Sequence, residues 1–192
     1  TAILCNGGTA IVTVSTAGGT APFSGDGTFT VTAGTYNYTV TDAGGCTSNT
    51  SITVSEPSAL VASSSQGAAI LCNGGSTTIT VSATGGTAPY SGDGTFTVTA
   101  GTHNYTVTDA NGCTSNTSIT VTEPTAVVVS AIQGASILCN GGSTTVTVSA
   151  TGGTSPYSGE GTFTVTAGTY NYTITDANGC TGSTSITVTE PS

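Results

Sequence analysis

Hydrophobic and polar residues alternate along this chain with the period of a β-strand, and nowhere with that of a helix. Between Gly94 and Gly101, Phe96, Val98 and Ala100 alternate with Thr95, Thr97 and Thr99, the spacing of a strand with one buried face. The alternation resumes through His103, Tyr105 and Val107 and is closed by Asp109-Ala110-Asn111-Gly112. Asn-Gly is a strong tight-hairpin signal, because both residues tolerate positive φ. The pattern predicts six strands in this part of the chain: Ala59–Ala62, Thr78–Ser82 with Ile79 and Val81 inward, a short segment at Tyr90-Ser91, Thr95–Ala100, His103–Asp109, and Thr117–Thr122 with Ile119 and Val121 inward. Gly85-Gly86 and Pro89 punctuate the set.

The stretch is written three times. It reads GTFTVTAGTYNYTVTDAGGC from Gly27, GTFTVTAGTHNYTVTDANGC from Gly94 and GTFTVTAGTYNYTITDANGC from Gly161, each copy 67 residues after the last. A fixed period of this length makes the chain a tandem array. Glu56-Pro57 and Glu123-Pro124 mark the junctions, since proline cannot continue a ladder. The expected organisation is therefore all-β: three small β-sandwich repeats over 1–57, 58–124 and 125–192. The first lacks a counterpart of Ser58–Gly67, its first strand. A sheet short of an edge strand exposes unpaired backbone and invites strand addition. The chain reads either as a window on a longer array or as a subunit polymerised by donated strands.

Small domains bury thin cores and usually need a staple. Each repeat carries two cysteines, Cys5, Cys72 and Cys139 at the head and Cys46, Cys113 and Cys180 after the hairpin. Translational symmetry leaves two reasonable pairings: within each repeat (5–46, 72–113, 139–180) or across junctions (46–72, 113–139). The first is favoured, and closing such a loop contributes about 4 kcal/mol in the chain-entropy model. It carries a condition. The two cysteines of a repeat share a pole only if an even number of strands separates them, so the Tyr90 segment must cross the domain. Disulfides imply an oxidising, extracellular or cell-surface location.

Charge narrows the function. The chain has no Lys or Arg and nine acids, for a net charge of −9. Nucleic acid and anionic lipid surfaces both demand cations, so both are excluded as partners. No run of 18 apolar residues exists, and no membrane insertion by helix is expected.

The candidate chemistry is sparse. His103 is the single histidine and stands where Tyr36 and Tyr170 stand, which makes it a substitute in an aromatic slot and not a general base or ligand. No nucleophile elbow, CxxC or Cys/His cluster accompanies it, so no enzyme and no cofactor are expected. The acids fall three per repeat: Asp26, Asp42 and Glu56; Asp93, Asp109 and Glu123; Glu160, Asp176 and Glu190. Asp109 and its equivalents serve the hairpin through an Asx-type bond. Calcium at the Glu56 and Glu123 junctions is the one ion the pattern admits. The outward Thr and Ser rows suit exposed strand positions, and they also offer hydroxyls for O-glycosylation. Asn-x-Ser/Thr occurs at Asn37, Asn49, Asn104, Asn116 and Asn171. The aromatics Tyr90, Phe96 and Tyr105 and their equivalents are in core phase. A platform of exposed aromatics for carbohydrate is their functional rival.

Four separated motifs, Cys-Asn-Gly-Gly, Gly-Gly-Thr-Ala-Pro-Tyr, the Ala-Gly-Thr-Tyr-Asn-Tyr to Asp-Ala-Asn-Gly-Cys run, and Ile-Thr-Val-Thr-Glu-Pro, resemble the SprB repeat of large surface adhesins of gliding Bacteroidota. The resemblance covers all three repeats. It implies an immunoglobulin-like sandwich per repeat and a long extracellular array, typically exported by the type IX system. Ala100–Tyr105 also resembles the corner before strand F of immunoglobulin domains, where a tyrosine hydroxyl ties the loop. The function expected is a filament or adhesin stalk, with neighbouring repeats or identical subunits as partners and covalent glycans on its surface. The alternative is a glycan-binding adhesive module, with avidity supplied by repetition.

Overall fold

The computed structural model describes residues 2–192, and Thr1 lies outside them. The fold is all-β. The first repeat holds β1 (Ala10–Val14), β2 (Gly27–Val31), β3 (Gly34–Thr41) and β4 (Thr47–Val54). The second holds β5 (Val61–Gln66), β6 (Thr77–Thr84), β7 (Gly94–Val98), β8 (Gly101–Thr108) and β9 (Thr114–Val121). The third repeats that order as β10 (Val128–Gln133), β11 (Thr144–Thr151), β12 (Gly161–Val165), β13 (Gly168–Thr175) and β14 (Thr181–Val188). Each repeat forms two small sheets: β1-β2 and β3-β4, then β5-β6-β7 and β8-β9, then β10-β11-β12 and β13-β14. By contacts the chain divides into two compact units, one of Thr1–Ser65, Thr80–Thr95 and Asn104–Ser118, the other of Gln66–Ile79, Phe96–His103 and Ile119–Ser192. Strands β5 to β9 contribute residues to both.

Two strand expectations are corrected. The first strand of a repeat is Val61–Gln66 and not Ala59–Ala62, because the covered positions are Ala62, Ser64 and Gln66 while Val61 is exposed. The Tyr90-Ser91 segment makes only a single bridge, Ser91 to Thr108. Proline at 89 offers no donor, and Gly92 turns at φ +86 with its backbone pressed against β8; a Cβ there would sit 2.2 Å from the Thr106 carbonyl oxygen. Two residues between such neighbours do not make a strand.

In the third repeat the core lies between the two sheets: Val146 and Val148 of β11, Val165 of β12, Ile174 of β13 and Val188 of β14, closed by Ile137. The threonines between them face outward, as in the buried-exposed alternation of β11. The first repeat has the smaller set Val12, Val14, Val31 and Val40.

Chain direction follows from the pairings. Ala10 faces Val31 across β1-β2, Ser24 bridges Thr41 antiparallel, and Gly34 faces Val54 across β3-β4. The rings of Phe29 and Tyr38 meet at 4.7 Å across the bend between β2 and β3. From Cys5 the chain therefore goes out on β1, back on β2 and out again on β3. Three traverses leave Cys5 and Cys46 at opposite ends of the repeat. β11, β12 and β13 do the same between Cys139 and Cys180. The condition for pairing within a repeat fails, because the Tyr90 segment does not cross.

The aromatic slots are also resolved. The loop tie is made by Tyr36 and Tyr170, whose hydroxyls donate to the Thr32 and Thr166 carbonyls at 3.1 Å. His103 does the same work, its Nε2 meeting the Thr99 carbonyl at 2.9 Å. The hydroxyls of Tyr38 and Tyr172 are buried without a partner, so they are not the tie that the immunoglobulin corner implies. Tyr90 donates to the Gly85 carbonyl at 2.6 Å. Tyr90→Phe is therefore expected to cost about 1 kcal/mol, whereas Tyr172→Phe removes an orphaned hydroxyl and leaves stability equal or raised. Urea midpoints of the two variants check the contrast.

Candidate assembly site at the two ends of each repeat

Each repeat has an end built on an aspartate and an end built on a glutamate. At the first lie the hairpin after β3 and the loop after β1, and their equivalents. Asp109 organises it: Oδ1 accepts the N–H groups of Asn111 and Cys113 at 2.9 Å each, and Oδ2 accepts that of Thr87 at 2.9 Å. The Asx bond within the hairpin was expected. The bond to Thr87, 22 residues earlier, was not, and it clamps the hairpin to the Gly85-Gly86 loop. Asp42 and Asp176 repeat the arrangement, with Thr20 and Thr154 as the distant donors.

Burial pushes the Asp109 carboxyl up, but the N–H groups of Thr87, Cys113, Asn111 and Gly112 outweigh it and hold the group below its ordinary value. Asp176 behaves alike. In Asp42 the N–H of Cys46 is the largest cause of the same lowering, with Thr20 next. A carboxylate with a lowered folded value stabilises the fold fully above its ordinary 3.8, and that contribution is lost as the pH falls through the lowered value. Asp109→Asn is thus expected to lower the urea midpoint at neutral pH, with the gap from the parent closing as the pH falls through the lowered value. A gap independent of pH would show that the charge is not what holds the clamp.

The other end is built on Cys-Asn-Gly-Gly. Glu56, just past the end of β4, reaches back to this turn, its Oε2 accepting the Gly7 N–H at 2.6 Å. Glu123 and Glu190 do the same to Gly74 and Gly141 at 2.6 Å each. The side-chain amides of Asn6 and Asn73 donate hydrogen bonds to the Pro57 and Pro124 carbonyls. The junction glutamates are thus turn caps as well as boundary markers.

The ends meet through the cysteines. Cys5 is bonded to Cys113 and Cys72 to Cys180, each pair 108 residues apart, while Cys46 and Cys139 are exposed thiols. This replaces the expected pairings 5–46, 72–113 and 139–180, and it is not the junction pairing 46–72 and 113–139 either. The glutamate end of one repeat is joined to the aspartate end of the next. Around the first bridge, Asn111 donates to the Leu4 carbonyl at 3.1 Å; around the second, Asn178 donates to the Leu71 carbonyl at 3.4 Å. The incoming linker then lies on the glycine loop, with the Gly86 N–H bonded to the Ser58 carbonyl at 2.9 Å and that of Gly153 to the Thr125 carbonyl at 2.8 Å. Gly85 has φ +72, and a Cβ on it would fall 1.9 Å from the Ala59 oxygen, so only glycine admits the linker there.

The remaining candidates do not gather. Asn37, Asn49, Asn104, Asn116 and Asn171 all lie within strands on exposed faces; Asn49 and Asn116 accept from Thr39 and Thr106 at 2.6 and 2.7 Å. Asp26 and Asp93 are exposed in Gly-Asp-Gly turns, and Glu160 accepts the Ala150 N–H at 2.8 Å. Among the described residues no three of His, Cys, Asp and Glu stand close enough to share a metal ion. Among the described residues no helix is long and apolar enough to cross a membrane. No family model matches the chain, and no curated protein matches it.

Proposed function

We propose that this chain is a non-enzymatic structural protein of the cell exterior, in which immunoglobulin-like β-sandwich repeats build a filament or adhesin stalk. One observation carries the reading: the bridges join neighbouring repeats, so they serve the array and not the single domain. Their covalent consequence is mechanical. Treat the two bridges as nodes; the segments 5–72, 72–113 and 113–180 all run from one node to the other. Tension along the chain is shared by three parallel backbones, and extension stops at the shortest, 41 residues long. At about 3.5 Å per residue the distance from Cys5 to Cys180 is limited to about 140 Å, against about 610 Å after reduction. Pulling single molecules with and without a reductant is expected to show that ratio.

The residues agree with this reading in other ways. Disulfides suit an oxidising exterior. The absence of Lys and Arg leaves no trypsin sites. The resemblance to the SprB repeat points to the same setting. Antibody labelling of source cells in the electron microscope tests it: label along thin projections is expected, and label confined to the cell interior would overturn it. A glycan-binding module is the second reading, favoured by the shallow groove of Asn104, Tyr105, Thr106, Asn116 and Thr117 on the face of β8 and β9. Saturable binding to a glycan array by the oxidised chain, lost on Asn116→Ala, would favour that reading instead.

A further inference from the structure

Five asparagines precede glycine: Asn6, Asn73 and Asn140 in the Cys-Asn-Gly-Gly turns, and Asn111 and Asn178 in the hairpins. At this dipeptide a chain loses side-chain amide most readily, because glycine has no side chain to shield its nitrogen. The glycine nitrogen attacks the asparagine Cγ and a C–N bond forms. The Cγ–Nδ2 bond then breaks, and the amide departs as ammonia, taking up the proton that the glycine gave. Water opens the resulting succinimide to aspartate or isoaspartate. The fold needs the dipeptide all the same. Gly74 holds φ +75 and Gly112 φ +84, where a side chain is strained although a Cβ on either would meet nothing within 4 Å. Asn73 and Gly74 are both exposed, so burial does not shield them.

Each of the five glycine nitrogens is nonetheless engaged. Gly7, Gly74 and Gly141 donate to Oε2 of Glu56, Glu123 and Glu190 at 2.6 Å. Gly112 and Gly179 donate to the backbone carbonyls of Asp109 and Asp176 at 3.0 and 3.1 Å. At the turns the acceptor is charged, which strengthens the bond and disfavours loss of the proton that attack requires. The amide is held as well. Asn73 Nδ2 donates to Glu123 Oε1 at 3.1 Å and to the Pro124 carbonyl at 3.2 Å. One carboxylate thus holds the nucleophile on one oxygen and the leaving group on the other, and ring closure must release both.

We propose that the asparagines of the Cys-Asn-Gly-Gly turns are deamidation sites that the fold keeps unreacted, and that Glu56, Glu123 and Glu190 are the residues that guard them. The proposal goes beyond the stalk reading and does not depend on it. It gives the glutamates a chemical task in addition to capping. Reaction at Asn73 would also be self-propagating within its turn. An aspartate there sets a second carboxylate against Glu123 Oε1 and the Pro124 carbonyl, where an amide donor stood. Like charges at that distance repel, and the turn that carries Cys72 into its bridge loses its cap.

The oxidised parent chain, Glu123→Ala and Glu123→Gln are aged in mildly alkaline buffer. Aspartate and isoaspartate at each Asn-Gly are then measured by mass spectrometry after cleavage at aromatic residues. The parent, reduced and unfolded, supplies the unguarded rate, and Asn73 in the folded parent is expected to react well below it. Losing a bond to a charged acceptor should speed Asn73 in Glu123→Ala by about 10- to 100-fold, with Asn6 and Asn111 unchanged. Glu123→Gln should fall between, because its amide oxygen still accepts the Gly74 N–H without the charge. An Asn73 rate in folded Glu123→Ala equal to the parent's would overturn the proposal. So would a rise shared equally by Asn111, which marks general loosening. Should Glu123→Ala fail to fold, Glu123→Gln decides: a rise confined to Asn73 supports the guard, and an unchanged rate overturns it. None of these outcomes alters the 5–113 and 72–180 bridges, so the stalk reading keeps its own test.

Discussion

Replacing Cys72 and Cys180 together by serine is expected to destabilise the array by about 5 kcal/mol in the chain-entropy model, the largest effect of any substitution outside the core. The bond closes a separation of 108 residues, and the model puts a loop of about 100 residues near 4.7 kcal/mol. A bridge within one repeat would close only 41 residues and contribute less. The bridge also holds the Leu71 carbonyl against Asn178, a bond of 3.4 Å that should loosen with it. Urea unfolding followed by near-ultraviolet circular dichroism reads the effect, with Cys46→Ser as control, since Cys46 is unbonded and its loss should leave the midpoint unchanged.

Ile174→Ala should cost about 2–5 kcal/mol, the range for emptying a filled aliphatic site. Ile174 has no exposed surface and packs among Val146, Val148, Val165 and Val188, which come from three other strands. Those strands are fixed by hydrogen-bonded registers and leave the cavity little means of collapse. Ile174→Val removes one methylene and should cost about 0.5–1.5 kcal/mol. Both follow from chemical denaturation, and the order of the two values matters more than either alone. A repeat of this size has a thin margin, so the alanine variant is expected to unfold locally before the rest of the chain.

Much of the architecture was legible in the residues because one physical rule governed them. Wherever Val, Ile or an aromatic alternated with Thr, a strand formed with the intervening threonines outward, as Thr145 and Thr147 in Thr144–Thr151 and Thr169 and Thr173 in Gly168–Thr175. Asp109 was legible as a hairpin residue for the same kind of reason, since its Asx bonds are local. What escaped was non-local. The strand Val61–Gln66 half-buries Ala62, Ser64 and Gln66, small or polar side chains with no hydrophobic signature, and it is held by its neighbour β6. The apolar run before it, Ala59 to Val61, belongs mostly to a linker laid on the glycine loop. The distant half of the Asp109 clamp, the N–H of Thr87, has no mark in the sequence because any residue supplies it.

The cysteines illustrate the same limit most clearly. Spacing alone made Cys72 and Cys113 look like partners, and only the count of strands between them decides which end each occupies. Once the Tyr90 segment is seen to be a bridge and not a strand, that count is odd and the bond is impossible. A cysteine at the glutamate end then finds its partner at the aspartate end of the repeat that follows.

Peptide mapping of the unreduced monomer by mass spectrometry, after alkylation under denaturing conditions and cleavage at acidic and aromatic residues, tests that assignment most directly. Linked peptides containing Cys5 with Cys113 and Cys72 with Cys180, with alkyl groups on Cys46 and Cys139, are the predicted result. Linked peptides joining Cys5 to Cys46 and Cys139 to Cys180 would contradict it.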